Sequence, residues 1–299
     1  MSKPVIELRH VTKTYGTSRG VIDLNFQVEK GQVFGFLGPN GAGKTTTIGM
    51  LIDLIRPSKG NALLFGLDSK QDSLEIRRRI GYLSGDMEMD GDLTGAQYIK
   101  YMANLRGHVD RGYIKELTGR MNSDLSRKIR TLSRGNQQKI GLIVALMHKP
   151  ELLIFDEPTT GLDPLIQAEF SKLLLEHKKR GGTAFISSHI LSEVQLWCDT
   201  VGFIREGQLI TVRDLRELEK GLPKQVQVIS TNKTLRERLE KLNGVSITSS
   251  QGKNIVFTYS GDINELITLL GNAKVDDVNI QDADLETVFM GYYQEKKSV

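Results

Sequence analysis

The chain has 299 residues, of which 39% are apolar, 25% are charged and thirty are glycine, a composition that excludes whole-chain disorder and predicts one large or two ordinary domains. Its single cysteine, Cys198, excludes a disulfide framework within the chain and fits a reducing compartment. Forty basic against thirty-six acidic residues leave a net charge of +4 spread along the chain, without the concentrated basic patch that nucleic-acid binding needs.

From the N-terminus, residues 5–8 and 22–28 read as strands, and residues 32–37 as a short buried strand. A glycine-rich loop follows, then a helix from Lys44 to about residue 55, with Pro57 just beyond its end. This strand–loop–helix order opens an α/β fold. Asp86, Glu88, Asp90 and Asp92 then alternate along an acidic stretch. Thr94 and Gln97 have the spacing of a capping box, and Tyr98, Met102 and Leu105 form the predicted apolar stripe of the helix behind it. Helical patterns run to about His148, and strand patterns return at residues 152–155 and 183–186. A helical subdomain over residues 86–147 is therefore expected inside the α/β core.

Gly221-Leu222-Pro223 is a break. Beyond it the pattern reads strand (225–229), helix (235–242), two strands (245–248, 255–259), helix (263–270) and a strand near 278–280. That βαββαβ order predicts a small ferredoxin-like α+β domain, dividing the chain into residues 1–220 and 221–299. No run of about 18 apolar residues offers a membrane span. Residues 1–10 lack the apolar core of a signal peptide, so any membrane is expected to be served from the soluble side.

Gly38-Pro39-Asn40-Gly41-Ala42-Gly43-Lys44-Thr45 fits the pattern GxxxxGK[ST] between a predicted strand and a predicted helix. Side chains would obstruct backbone N–H groups turned toward phosphate oxygens, hence the glycines. Lys44 is then expected to reach the β- and γ-phosphates, the Thr45 hydroxyl to meet Mg2+, and the helix start to face the anion. In Leu152-Leu153-Ile154-Phe155-Asp156-Glu157 a buried strand ends in two carboxylates. Asp156 is the candidate Mg2+ ligand and Glu157 the candidate general base. His10, His108, His148 and His177 have no metal-ligand spacing and read as structural. Cys198 reads as packing, and Arg77-Arg78-Arg79 as a solvated helix face.

With these motifs in place, the chain resembles the ATP-binding-cassette (ABC) ATPases. Leu132-Ser133-Arg134-Gly135-Asn136-Gln137 is similar to their signature motif, and Glu157-Pro158-Thr159-Thr160-Gly161-Leu162-Asp163-Pro164 to the run from catalytic glutamate to D-loop. Ser187-Ser188-His189 resembles the switch histidine, and Tyr15 the aromatic that stacks on adenine. The resemblance spans residues 3–218 in the family's order, and Leu285-Glu286-Thr287-Val288-Phe289 is similar to the closing segment of drug-exporter cassettes.

The resemblance implies a P-loop NTPase core that takes ATP and Mg2+. Tyr15, Gly38, Pro39, Asn40, Gly41, Ala42, Gly43, Lys44, Thr45 and Thr46 would bind nucleotide, and Lys44, Glu157 and His189 would act in catalysis. Two cassettes, a homodimer or an unlike pair, would pack head to tail. Each ATP would lie between one subunit's phosphate loop and the other's Ser133, Arg134, Gly135 and Asn136, with Asp163 in the D-loop. The implied role is the ATP-hydrolysing subunit of an exporter at the cytoplasmic face of the cell membrane, docked on separate transmembrane permease subunits and not on nucleic acid. A cassette ATPase acting on nucleic acid or the ribosome is the alternative.

There are two departures. The signature reads Leu-Ser-Arg-Gly-Asn, and Ser84-Gly85-Asp86 follows the strand at residues 80–83 where the family usually has a glutamine. Asp86 is the candidate to replace that glutamine at the Mg2+ water shell. The acidic residues 86, 88, 90 and 92 are the expected docking edge for the permease, whose cytoplasmic loops carry excess Lys and Arg.

Overall fold

The computed structural model describes residues 3–16, 18–220, 223–232 and 234–282. They fall into two compact units, Met1–Leu215 and Arg216–Val299.

The first unit holds two sheets. Strands β1 (Ile6–Tyr15), β2 (Ser18–Val28), β4 (Lys59–Leu64) and β5 (Leu67–Asp68) make an antiparallel sheet in the order β2-β1-β4-β5. The other sheet takes β3 (Val33–Leu37), β6 (Ile80–Leu83), β7 (Leu152–Asp156), β8 (Thr183–Ser188), β9 (Thr200–Arg205) and β10 (Gln208–Asp214), in the order β10-β9-β3-β8-β7-β6. All its pairs are parallel except the edge pair β10–β9. Every residue of β3, β7 and β8 is buried, as expected for strands covered on both faces. Phe26, Phe34 and Phe185 stack between the two sheets, with ring centroids 5.3 and 5.6 Å apart.

The register decides where the chemistry falls. Leu37 at the end of β3 pairs with Ser188, and Asp156 at the end of β7 pairs with Ser187. The carboxyl ends of three neighbouring parallel strands therefore meet, the edge at which open α/β sheets bind ligands.

Helix α1 (Lys44–Leu51) is shorter than its sequence pattern. Asp53 adopts the left-handed conformation (φ 57), and the N–H groups of Leu54 and Ile55 turn back to the Gly49 carbonyl. Helix α2 (Ser73–Arg79) follows. Arg79 departs from the solvated-face expectation: it grips Glu151 at 2.7 and 3.0 Å and lies 3.7 Å over the Phe65 ring.

Between β6 and β7 come α3 (Gly95–Arg106), α4 (Arg111–Arg120) and α5 (Arg134–Leu146), within the stretch expected to be helical. The capping box of α3 is present, with Thr94 Oγ1 accepting the Gln97 N–H at 3.2 Å and Gln97 Oε1 accepting the Thr94 N–H at 2.8 Å. The apolar stripe is displaced from its predicted line. Gly95 and Ile99 are buried, Tyr98 and Met102 are half-buried, and Leu105 is 66% exposed. Leu105 lies about 120° around the helix from Ile99, outside the core-facing arc. The helices α6 (Pro164–Lys179) and α7 (Leu191–Trp197) complete this unit's larger elements, and α8 (Leu215–Lys220) follows β10.

The second unit has β11 (Lys224–Ile229), α9 (Leu235–Glu240), β12 (Val245–Gln251), β13 (Asn254–Tyr259), α10 (Ile263–Gly271) and β14 (Asp277–Asp282). This is the βαββαβ order, with an antiparallel sheet arranged β12-β13-β11-β14. Alternate residues Val226 and Val228, and Ile255, Phe257 and Tyr259, face a core shared with Leu235, Leu239 and Leu266. The segment Leu285–Phe289 lies outside the described residues.

His148, His177 and Cys198 are packed groups, whereas His10, paired with Asp23 at 2.8 Å, and His108 are exposed. His148 Nε2 lies 3.0 Å from the Ile80 carbonyl, and His177 Nε2 lies 2.9 Å from that of Thr183. Burial raises the Cys198 thiol well above its ordinary range, so it stays protonated.

Candidate functional site

The phosphate-loop sequence runs from the end of β3 into α1. Gly38 N–H donates to the Ser188 carbonyl at 3.3 Å, tying the loop to the end of β8. Gly43, immediately before the helix, sits at φ 108, and a Cβ there would lie 2.6 Å from Val21 Cγ1. Only glycine fits that backbone and that space. Pro39, Asn40 and Gly41 are exposed at the rim, Ala42 is buried beneath them, and Thr46 is half-buried in the first helical turn.

Lys44 is only 6% exposed. Its ammonium donates to the Gly38 and Pro39 carbonyls at 2.7 and 3.3 Å and pairs with Glu157 Oε1 at 3.3 Å. Thr45 Oγ1 donates to Asp156 Oδ2 at 2.7 Å, and the Ser187 hydroxyl donates to Asp156 Oδ1. His189 Nδ1–H donates to Glu157 Oε2 at 2.8 Å. The structure thus brings Lys44, Thr45, Asp156, Glu157 and His189 into one cluster from three separate parts of the chain.

Glu157 has a left-handed backbone (φ 49), uncommon for a residue with a side chain. Such a conformation persists where neighbours fix it. Its N–H reaches the Ser187 carbonyl and hydroxyl, both at 3.2 Å. Gln138 of α5, fully buried, donates to the Glu157 and Pro158 carbonyls at 3.4 and 3.0 Å.

The signature segment stands apart from this cluster. Ser133 caps α5, its Oγ accepting the Asn136 N–H at 3.4 Å, and Ser133 and Arg134 are exposed. Among the described residues, no hydrogen bond joins residues 133–136 to the phosphate loop. Gly135 abuts Gly161, where any Cβ would strike the Gly161 carbonyl. Asp163 caps α6 by accepting the Ile166 N–H at 3.0 Å, and its other oxygen lies 3.6 Å from Lys139. The Ile166 N–H, followed by Lys139, holds the Asp163 carboxyl below its ordinary range. Tyr15, at the end of β1, is 42% exposed, with the Lys13 ammonium 5.1 Å from its ring centroid.

Asp86 does not join the site. Its side chain is fully exposed and faces Arg134 at 3.5 Å, while Arg134 also donates to the Gly85 carbonyl at 3.1 Å. Gly85 is the residue beside Asp156: a Cβ on it would lie 3.6 Å from Asp156 Oδ2. The expected stand-in for the family's glutamine is therefore corrected. The position facing the carboxylate is a glycine, and Asp86, one residue on, points outward.

Sequence reading gave no role to Ser187, Gln138 or Glu193. Ser187 was within reach, since parallel pairing sets it opposite Asp156. Gln138 is a polar side chain on the buried face of an apolar helix. Glu193 lies four residues after His189; one partner, Ser188, is near it in sequence, but the other, Thr159, is 34 residues upstream.

Mg2+ suits the Thr45–Asp156 pair. It takes oxygen donors, uses one or two protein ligands and leaves its other positions to water and phosphate, and these two oxygens lie 2.7 Å apart. Among the described residues no group of three His, Cys, Asp or Glu side chains forms a larger metal site.

The ABC transporter family profile matches residues 21–160. The bacitracin transport ATP-binding protein BcrA of Enterococcus faecalis is 34% identical over 88% of this chain and 87% of its own. The protein of the same name from Bacillus licheniformis is 40% identical over 72% of each chain. A solved structure of an ATP-binding subunit of an ABC transporter is 26% identical and superposes with a TM-score of 0.66, covering 72% of this chain and 92% of its own. Identity at this level over most of both chains settles the family, and the chain belongs to the ABC transporter ATP-binding proteins as an ATP-binding ATPase subunit.

Proposed function

We propose that the chain is the ATP-hydrolysing subunit of an ABC exporter, with residues 1–220 as its ATPase domain and 221–299 as an accessory α+β domain. The observation that carries the mechanism is the convergence of Lys44, Asp156, Glu157 and His189 at the strand ends. The similarity to two proteins named for bacitracin transport supports the exporter reading.

Lys44 exchanges its pairing with Glu157 and the loop carbonyls for β- and γ-phosphate oxygens. Glu157 accepts a proton from the attacking water at Oε1, the oxygen that has no hydrogen bond of its own. His189 holds Oε2 and so fixes the carboxylate plane. Thr45 and Asp156 would hold Mg2+, which when bound neutralises charge on the phosphates. Ser133 and Gly135, exposed or half-exposed at a helix start, suit a γ-phosphate offered by a partner cassette.

No described helix is long and apolar enough to cross a membrane, and the transport path in this reading belongs to a separate permease, with the chain on the cytoplasmic face. Within the acidic stretch, Asp86 and Asp92 pair with Arg134 and Arg130, at 3.5 and 2.8 Å, which leaves Glu88 and Asp90 as the charges for docking. A groove of about 980 Å³ near α2 and α3 adds apolar surface, with Leu54, Leu74 and Leu105 each more than 60% exposed along it. The test is phosphate release by the purified chain, together with its capture by a co-produced permease. A chain that binds ATP without turning it over, alone or with a permease, overturns the reading.

A further inference from the structure

Glu193 on α7 has one carboxylate oxygen on each of two segments. Thr159 Oγ1 donates to its Oε1 at 2.5 Å, and Ser188 Oγ donates to its Oε2 at 2.7 Å. Thr159 and Ser188 are buried. Thr159 lies two residues after Glu157, and Ser188 lies one residue before His189. The same Ser188 hydroxyl accepts the Ile190 N–H at 3.0 Å, and the Ser188 carbonyl accepts the Gly38 N–H at 3.3 Å. One side chain thus ties the loop that follows the general base to the strand end that carries the histidine and anchors the phosphate loop.

A carboxylate suits this position because it is acceptor-only, with two oxygens for two hydroxyl donors, and each bond is charge-assisted. Glu193 touches neither Glu157 nor His189 directly. The two segments it joins are those whose relative placement sets the 2.8 Å contact between Glu157 and His189. The left-handed backbone of Glu157 adds to the demand, since it depends on what grips it on each side.

We propose that Glu193 is a positioning residue for hydrolysis, acting through Glu157 and His189 by clamping the Thr159 and Ser188 segments together. The proposal rests on the assignment of Glu157 as general base.

Glu193→Gln keeps the shape but replaces one acceptor oxygen with an amide donor, so one of the two hydroxyls loses its acceptor and the charge that strengthens both bonds is removed. Thr159→Val removes a donor from the other end, and Thr159→Ser restores it. In the full-length chain, kcat of Glu193→Gln and of Thr159→Val should fall about 10- to 100-fold, the scale expected when a reacting group is misplaced. KM for ATP should change by less than about twofold, since an interaction felt only at the transition state lowers kcat alone. Thr159→Ser should turn over close to wild type. In single turnover, adding Glu193→Gln to Glu157→Gln should cause no further loss.

Unchanged kcat in Glu193→Gln and Thr159→Val overturns the clamp while leaving Glu157 in its role. A full multiplicative loss in the double variant does the same, because Glu193 then acts independently of Glu157. Undiminished turnover in Glu157→Gln alone overturns the general-base assignment and the clamp with it.

Discussion

The Lys44 ammonium lies 3.3 Å from Glu157 Oε1, with the two side chains 6% and 19% exposed. The cation assigned to the phosphates and the carboxylate assigned to the water are thus each other's partners, from the start of α1 to just past the end of β7. Lys44→Ala should therefore have two effects. It should abolish hydrolysis and weaken ATP binding, measured by phosphate release and by titration with a fluorescent ATP analogue. It should also lower the melting temperature, because a partly buried carboxylate loses its cation, at a cost of about 1–3 kcal/mol. Far-UV circular dichroism should stay native. Wild-type ATP affinity in this variant would count against the loop's role.

The exposed Ser133 and the clustered Lys44 point to composite sites built across a dimer. Mixed dimers test this with Ser133→Arg in one subunit and Lys44→Ala in the other. If the signature of one chain meets the phosphate loop of its partner, both lesions fall in one site and the second site is intact. About half the sites should then survive. Complete loss in the mixed dimer would show the two motifs acting within one chain.

Arg120 ties α4 to α6. It meets Glu169 at 2.5 Å and grips Glu176 with two bonds of 2.8 Å. The two carboxylates raise its pKa still further, and Arg120 holds both of them below their ordinary range. Arg120→Leu should destabilise the chain by about 1–3 kcal/mol in urea titration, since it removes the paired cation of Glu176 and leaves Glu169 with Lys172 alone. Arg120→Lys should recover little, because a point charge cannot reproduce the planar fork. Equal stability of wild type and Arg120→Leu would remove the clamp.

Burial lowers the pKa of His148 to about 4 from its ordinary 6.5. The unfolded chain therefore takes up this proton first as pH falls. The stability associated with neutral His148 is complete above about pH 6.5 and is lost progressively down to about pH 4, by at most about 1.4 kcal/mol per unit. Denaturant midpoints between pH 7 and 4.5 should fall less steeply for His148→Gln than for wild type. Parallel curves would show that His148 carries no such linkage.

Much of this was legible in the sequence because the informative residues lie close together along it. The loop from Gly38 to Thr45 is contiguous, so its glycine spacing and flanking elements could be read directly. The same holds for the Thr94–Gln97 capping box and for the second unit, where alternation in residues 226–228 and 255–259 marks the strands. What escaped depends on contacts between distant segments. Glu193 is tied to Thr159, 34 residues upstream, and Gln138 to the carbonyls of Glu157 and Pro158. Arg79 read as a solvated charge because neither Glu151 nor Phe65 is near it in sequence. Asp86 was misplaced for a local reason. β6 ends at Leu83 and the chain bends through Gly85 and Asp86, so Gly85 lies beside Asp156 and Asp86 faces solvent.

In the proposed mechanism Glu157 takes the proton of the attacking water. Glu157→Gln preserves its shape and its contact with His189 while removing its basicity. Steady-state phosphate release should fall by about 10²–10⁴-fold, the usual share of general-base catalysis, with ATP affinity retained and the ATP-bound dimer accumulating on gel filtration. Turnover at the wild-type rate in Glu157→Gln would show that Glu157 is not the general base.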